Sequence, residues 1–123
     1  RVRRCGWFDI VAAKYSASIN GLTGIALTKL DILDNFETIH VCTHYEFRGE
    51  KITELSSVLN FLDEVKPIYK QFKGWNCSIE KANSFSDLPS EAKVYIEFLS
   101  AEIGVPIEII SIGPKRHQIL SLQ

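Results

Sequence analysis

An α/β fold, with a mostly parallel sheet, flanking helices and an antiparallel hairpin insertion, is what this sequence predicts, on three observations. Short apolar runs at Ile25-Ala26-Leu27 and Val105–Ile110, the second rich in β-branched residues, are bounded by Gly, Pro or polar residues and read as buried strands. Stretches with helix signals, Phe8–Asn20 and Leu88–Gly104, precede them, and helices alternating with strands are the pattern of a covered sheet. Thr38–Phe47 alternates apolar and polar residues and runs into Arg48-Gly49-Glu50, so it reads as one arm of an antiparallel hairpin.

Taken in order, the helix over Phe8–Asn20 has Asp9 as a candidate N-cap, Ala12, Ala13 and Ala17 as good formers, and Gly21 as its stop. Trp7, Phe8 and Tyr15 read as core or loop-anchoring aromatics. Asp34-Asn35 is a turn. In the strand that follows, Ile39, Val41, Thr43, Tyr45 and Phe47 should share one face and His40, Cys42 and His44 the other. That second set has a spacing able to chelate zinc, but no fourth ligand is evident, and packing against a neighbouring element is the preferred reading. Lys51–Leu55 returns as the second arm, Ser56–Glu64 has no clear pattern, and Pro67–Phe72 is again extended before Gly74-Trp75. Asn76–Asp87, rich in Ser, Asn and Asp, is a loop. In the helix over Leu88–Gly104, Pro89 suits the first turn. Ala92, Tyr95, Ile96, Leu99 and Ile103 keep one apolar face, and Gly104 with Pro106 ends it.

Composition narrows the function classes. Apolar residues make up 46% of the 123 residues, too many for a disordered chain. A net charge of −1 gives no general attraction to nucleic acid or to an anionic membrane. No apolar run approaches the ~18–20 residues of a membrane span, and no signal peptide is visible. The three cysteines, Cys5, Cys42 and Cys77, are odd in number and lack metal-site spacing, which fits reduced thiols of the cytoplasm. The absence of methionine leads to the expectation that residues 1–123 are a fragment of a longer chain.

The chemistry concentrates at two strand exits. After Ile25–Leu27 comes Thr28-Lys29-Leu30-Asp31, where ligand groups usually sit in an open α/β sheet. A carboxylate can accept from two adjacent donors, such as the N1–H and exocyclic amine of guanine. A lysine stem can lie over the flat base while its charge stays wet. A solvated loop is the competing reading of the same residues. The second exit is Ser111-Ile112-Gly113-Pro114, where Gly admits close backbone approach and Pro fixes the turn. A plain strand-exit turn competes there. At the start of the chain, Arg1, Arg3 and Arg4 could grip a carboxylate or phosphate in bidentate fashion, or could be a solvated basic end.

Several stretches together resemble adenylosuccinate synthetases in their carboxy-terminal part. They are Arg1–Asp9, Asn20–Gly24, Leu27–Asp34, Pro67-Ile68-Tyr69, Gly74-Trp75, Asp87-Leu88-Pro89, Gly104–Ile107 and Ser111–Pro114, collinear over nearly the whole chain. The resemblance implies a P-loop-NTPase-like fold and a homodimeric cytoplasmic ligase that joins IMP to L-aspartate while hydrolysing GTP, with Mg2+. It implies that Arg1 contacts IMP and aspartate, and that Arg3 is shared between aspartate and the GTP ribose. By the same resemblance, Lys29, Leu30 and Asp31, with Ser111, Ile112, Gly113 and Pro114, hold the guanine. Lys115 stands where the family commonly has Asp, and its role is open. The family's catalytic Asp and His, its Mg2+ ligands and its phosphate loop are expected upstream, since no Gly-rich phosphate loop occurs here. Residues 1–123 alone are therefore expected to be inactive. A guanine-nucleotide switch protein is the alternative, but its Asn-Lys-x-Asp motif fails on Thr28. A non-catalytic binding fragment is another.

Overall fold

In the computed structural model, residues 7–122 are described. The chain runs β1 (Phe8–Asp9), α1 (Ile10–Asn20), β2 (Ile25–Leu27), β3 (Thr38–Phe47), β4 (Glu50–Ile52), β5 (Lys66–Lys73), α2 (Ser90–Ile103), β6 (Ile107–Ser111) and β7 (Ile119–Ser121). Short 3₁₀ segments lie between them at Leu30–Leu33, at Leu55–Phe61, which is kinked by non-helical backbone at Val58, and at Phe85–Asp87.

The strands form two sheets. In one, β3 is central: β1 pairs with it in parallel, and β4 and β5 pair with it antiparallel. In the other, β2 and β6 run parallel and β7 folds back antiparallel on β6. The fold is α/β, with the hairpin where the sequence puts it. Its parallel share is smaller than the sequence predicts, because β5 and β7 both return antiparallel.

Helix α1 begins two residues later than predicted, because Phe8 and Asp9 are drawn into pairing with Val41 and Cys42. Asp9 is the cap: its Oδ1 accepts from the Ala12 N–H at 3.1 Å, and Gly21 closes the other end at φ 60°. Asp9 Oδ2 accepts from the Tyr45 hydroxyl, which ties the start of α1 to β3. Helix α2 buries Ala92, Tyr95, Ile96, Leu99 and Ile103, the predicted stripe, and ends at Gly104 with φ 80°. This stripe joins Ile10, Ile39, Val41, Ile110 and Leu120 in the main core between the two sheets' elements.

Two features depart from the pattern reading. A bulge between Cys42 and His44 shifts the register of β3 against β5. Cys42 therefore turns inward to a second cluster with Val11, Tyr45 and Val58, while Thr43 is only half-buried. The expected face of Ile39, Val41, Thr43, Tyr45 and Phe47 is thus broken midway. The second feature is at Arg48-Gly49, where both residues have positive φ (52° and 82°), the geometry of the tight hairpin turn. Arg48 adopts it although it carries a Cβ; its guanidinium lies 4.7 Å from the centre of the Phe47 ring.

Candidate functional site at the ends of β2 and β6

The register of β2 against β6 pairs Leu27 with Ile110, so both strands end at the same sheet edge. Thr28–Asp31 and Ser111–Pro114, far apart in sequence, therefore leave the sheet side by side. The 3₁₀ turn Leu30–Leu33 also packs against β6.

How the first segment turns is set by Lys29. Its backbone is left-handed, φ 56° and ψ 38°, a conformation uncommon for a residue with a Cβ. From there the chain enters the 3₁₀ turn: the Ile32 N–H donates to the Lys29 carbonyl at 3.2 Å, and the Asp34 N–H to the Asp31 carbonyl at 3.1 Å. Leu30, only 2% exposed, anchors the turn in the main core. It can offer a ligand only its backbone. Lys29 is exposed and Asp31 half-buried, on either side of that anchor.

The two carboxylates of Leu30–Asp34 have different duties. Asp34 is buried; its Oδ1 accepts from Trp75 Nε1 at 2.7 Å and its Oδ2 from the Ile79 N–H at 3.3 Å. Burial pushes its pKa above the ordinary value; the two donors oppose that shift, and the charges of Asp31 and Glu80 add to it. Asp34 thus fastens the Gly74–Ile79 segment. Among the described residues no donor meets the Asp31 carboxylate, so it stays available for a ligand. A single clue to the Asp34 contact was present in the sequence: a buried tryptophan needs a partner for its indole N–H.

At the second segment, Ser111 is half-buried and its hydroxyl donates to the Gly113 carbonyl at 3.2 Å. Ile112 is 1% exposed and belongs to the core; its N–H donates to the Gln118 carbonyl at 2.9 Å. Any ligand contact at Ile112 is therefore confined to its backbone. Gly113 is buried beneath the Gln118 amide, where a Cβ would come within 2.3 Å of Oε1. Pro114 and Lys115 are exposed.

A cleft of ≈ 140 Å³ opens beside Thr28, Lys29 and Leu30, with Trp7 and Tyr95 in its wall. Trp7 itself packs against Phe36 and His40, with ring centres 5.4 and 4.9 Å away. Larger concavities of ≈ 500 and ≈ 400 Å³ lie elsewhere, beside α1 and at the Gly21–Ala26 end of β2, and contain none of the predicted binding residues. Arg1 and Arg3, like Arg4, lie outside the described residues. His40, Cys42 and His44 diverge: Cys42 Sγ donates to the His44 carbonyl at 3.4 Å, and His44 Nδ1 meets Thr43 Oγ1 at 3.0 Å.

Comparison with known proteins supplies the lineage. The family model for adenylosuccinate synthetase matches residues 1–120. The chain is 50% identical over 123 residues to the adenylosuccinate synthetase of Hydrogenovibrio crunogenus, which covers 100% of this chain and 28% of that protein. It is 46% identical to the one from Geotalea daltonii, again over 100% of this chain and 28% of the relative. Among solved structures, the fully ligated adenylosuccinate synthetase from Plasmodium falciparum superposes with a TM-score of 0.91 at 34% identity, covering 100% of this chain and 30% of that one. The chain thus spans under a third of the length of these relatives. With a family match across almost every residue, the chain belongs to the adenylosuccinate synthetase family.

Proposed function

We propose that residues 1–123 form the carboxy-terminal portion of an adenylosuccinate synthase, the ligase that makes adenylosuccinate from IMP and L-aspartate as GTP becomes GDP and phosphate. Within it, this segment reads the guanine base and contributes part of the loop that binds aspartate and IMP. The observation that carries the reading is the parallel pairing of β2 with β6, which sets Lys29 and Asp31 next to Ser111–Pro114 at one edge. The Asp31 carboxylate accepts from guanine N1–H and the exocyclic amine, and the Lys29 stem lies along the base. Ser111 and the backbone of Leu30, Ile112, Gly113 and Pro114 complete the contact. Arg1 and Arg3 grip the substrate carboxylate as guanidinium forks, Arg3 also reaching the GTP ribose.

In the whole enzyme, GTP phosphorylates the IMP 6-oxygen and the aspartate amine then displaces that phosphate. The Mg2+ ligands, like the catalytic Asp and His, would come from outside residues 1–123, and the metal would offset the charge developing on the phosphoryl group. Among the described residues no three His, Cys, Asp or Glu side chains gather to hold an ion. No helix described here is long and apolar enough to cross a membrane. A homodimeric, cytoplasmic enzyme without nucleic-acid or membrane partners completes the proposal.

The test is Asp31→Asn in the full-length enzyme, read as kcat/KM for GTP and XTP with IMP and aspartate saturating. The substitution replaces one acceptor oxygen with an NH₂ donor. Guanine then meets donor against donor, whereas xanthine offers a carbonyl in place of its amine. GTP use should fall by about tenfold or more, and XTP should become a usable phosphoryl donor. An unchanged preference for GTP would refute the assignment of Asp31.

A further inference from the structure

Gln118, half-buried just before β7, spends its polar groups on three different neighbours. Its carbonyl accepts from the Ile112 N–H at 2.9 Å, and its own N–H donates to the Lys115 carbonyl at 3.0 Å. Its side-chain Oε1 accepts from the Lys115 N–H at 2.9 Å, and its Nε2 donates to Glu80 Oε1 at 3.3 Å. The same amide lies over Gly113 so closely that a Cβ there, 2.3 Å from Oε1, would push the Gln118 side chain aside. The Ser111–Pro114 turn is therefore folded around one side-chain amide.

Glu80 extends that anchorage. It follows Ile79, whose N–H is held with Trp75 Nε1 by Asp34, the residue that ends the 3₁₀ turn bearing Asp31. A continuous path of bonds runs from the Asp31 turn through Asp34, Trp75–Glu80 and Gln118 to Lys115, with the Gln118 amide packed over Gly113. Its last link needs both halves of an amide, an acceptor for Lys115 and a donor for Glu80.

We propose that Gln118 is a positioning residue for the purine base: it shapes the Ser111–Pro114 turn and, through Glu80, fixes that turn's spacing from Asp31. The inference rests on the reading of both segments as base-contacting. Gln118 does not touch the base; it acts through Gly113 and Glu80. Ile112 anchors the start of the turn in the core, but Pro114, Lys115, Arg116 and His117 are all exposed, so its outer half has no core contact to hold its shape.

The test is a pair of substitutions in the full-length enzyme. Gln118→Glu keeps an acceptor for Lys115 but sets a second carboxylate against Glu80. Glu80 is exposed and solvent screens the new repulsion, so KM for GTP should rise about fivefold, leaving kcat and the KM values for IMP and aspartate within about twofold. Adding Glu80→Gln restores a donor–acceptor pair with the roles exchanged, and should return KM for GTP to within about twofold of the wild type. An unmoved KM for GTP in Gln118→Glu, a double variant no better than the single, or equal rises for all three substrates would overturn the proposal. Asp31→Asn in the same assay separates the two ideas. If it turns the enzyme toward XTP while the Gln118 pair fails, only the positioning role falls. If it leaves GTP preferred, the base-site reading falls and the role of Gln118 with it.

Discussion

Replacing Asp34 with alanine removes the acceptor that Trp75 Nε1 meets at 2.7 Å and the Ile79 N–H at 3.3 Å. Trp75 and Ile79 are 6% and 2% exposed, so water does not take the carboxylate's place. A hydrogen bond to a charged group contributes about 1.5–3 kcal/mol, and the longer Ile79 bond adds about 0.5–1 kcal/mol. Against this stands the cost of burying the carboxylate, which shows in its raised pKa. The balance is a loss of about 2 kcal/mol, or about 30-fold in the local opening equilibrium. The assay is native-state hydrogen exchange on the peptide covering residues 74–80, which should quicken by about that factor. Asp34→Asn keeps an acceptor for Trp75 but turns its NH₂ toward the Ile79 N–H, and should fall between wild type and alanine. Unchanged exchange over residues 74–80 in Asp34→Ala would show that the segment is held by its apolar contacts alone.

The same residue sets a pH dependence. Because the folded pKa of Asp34 lies above 3.8, the native state takes its proton more readily than the unfolded chain does. Acidification from above the raised value down to 3.8 therefore favours the wild type over Asp34→Ala. The variant's deficit in denaturation midpoint should be smallest near neutrality and widen as the pH falls through that window. Gly74→Ala would place a Cβ 1.8 Å from the Phe36 carbonyl oxygen, a backbone atom that cannot swing aside. It should cost about 1–3 kcal/mol in thermal or denaturant unfolding. Tyr45→Phe removes one bond to Asp9, whereas Asp9→Ala removes that bond and the cap on Ala12. Asp9→Ala should be the more destabilising by about 1 kcal/mol, and equal losses would show the cap to be idle.

What the sequence determined by itself is what short stretches of chain decide. The stripe from Ala92 to Ile103, the Asp9 cap and the stops at Gly21 and Gly104 follow from helix period and backbone sterics, and the structure has each of them. The two strand exits were legible for the same reason, since an apolar run followed by Gly, Pro or charged residues must leave the sheet. Whether those exits meet is a different matter. It depends on pairing Leu27 with Ile110 across most of the chain, and nothing local to either strand encodes its partner. The bulge at Cys42–His44 was likewise invisible, because period-2 alternation assumes an unbroken register, and β7 was too short to show a period. Asp31 and Asp34 look alike in sequence. Only the packing of Trp75 and Ile79 against one of them makes Asp34 a buried fastener and leaves Asp31 half-buried, because a hydrogen bond between distant residues exists only once the core has brought them together.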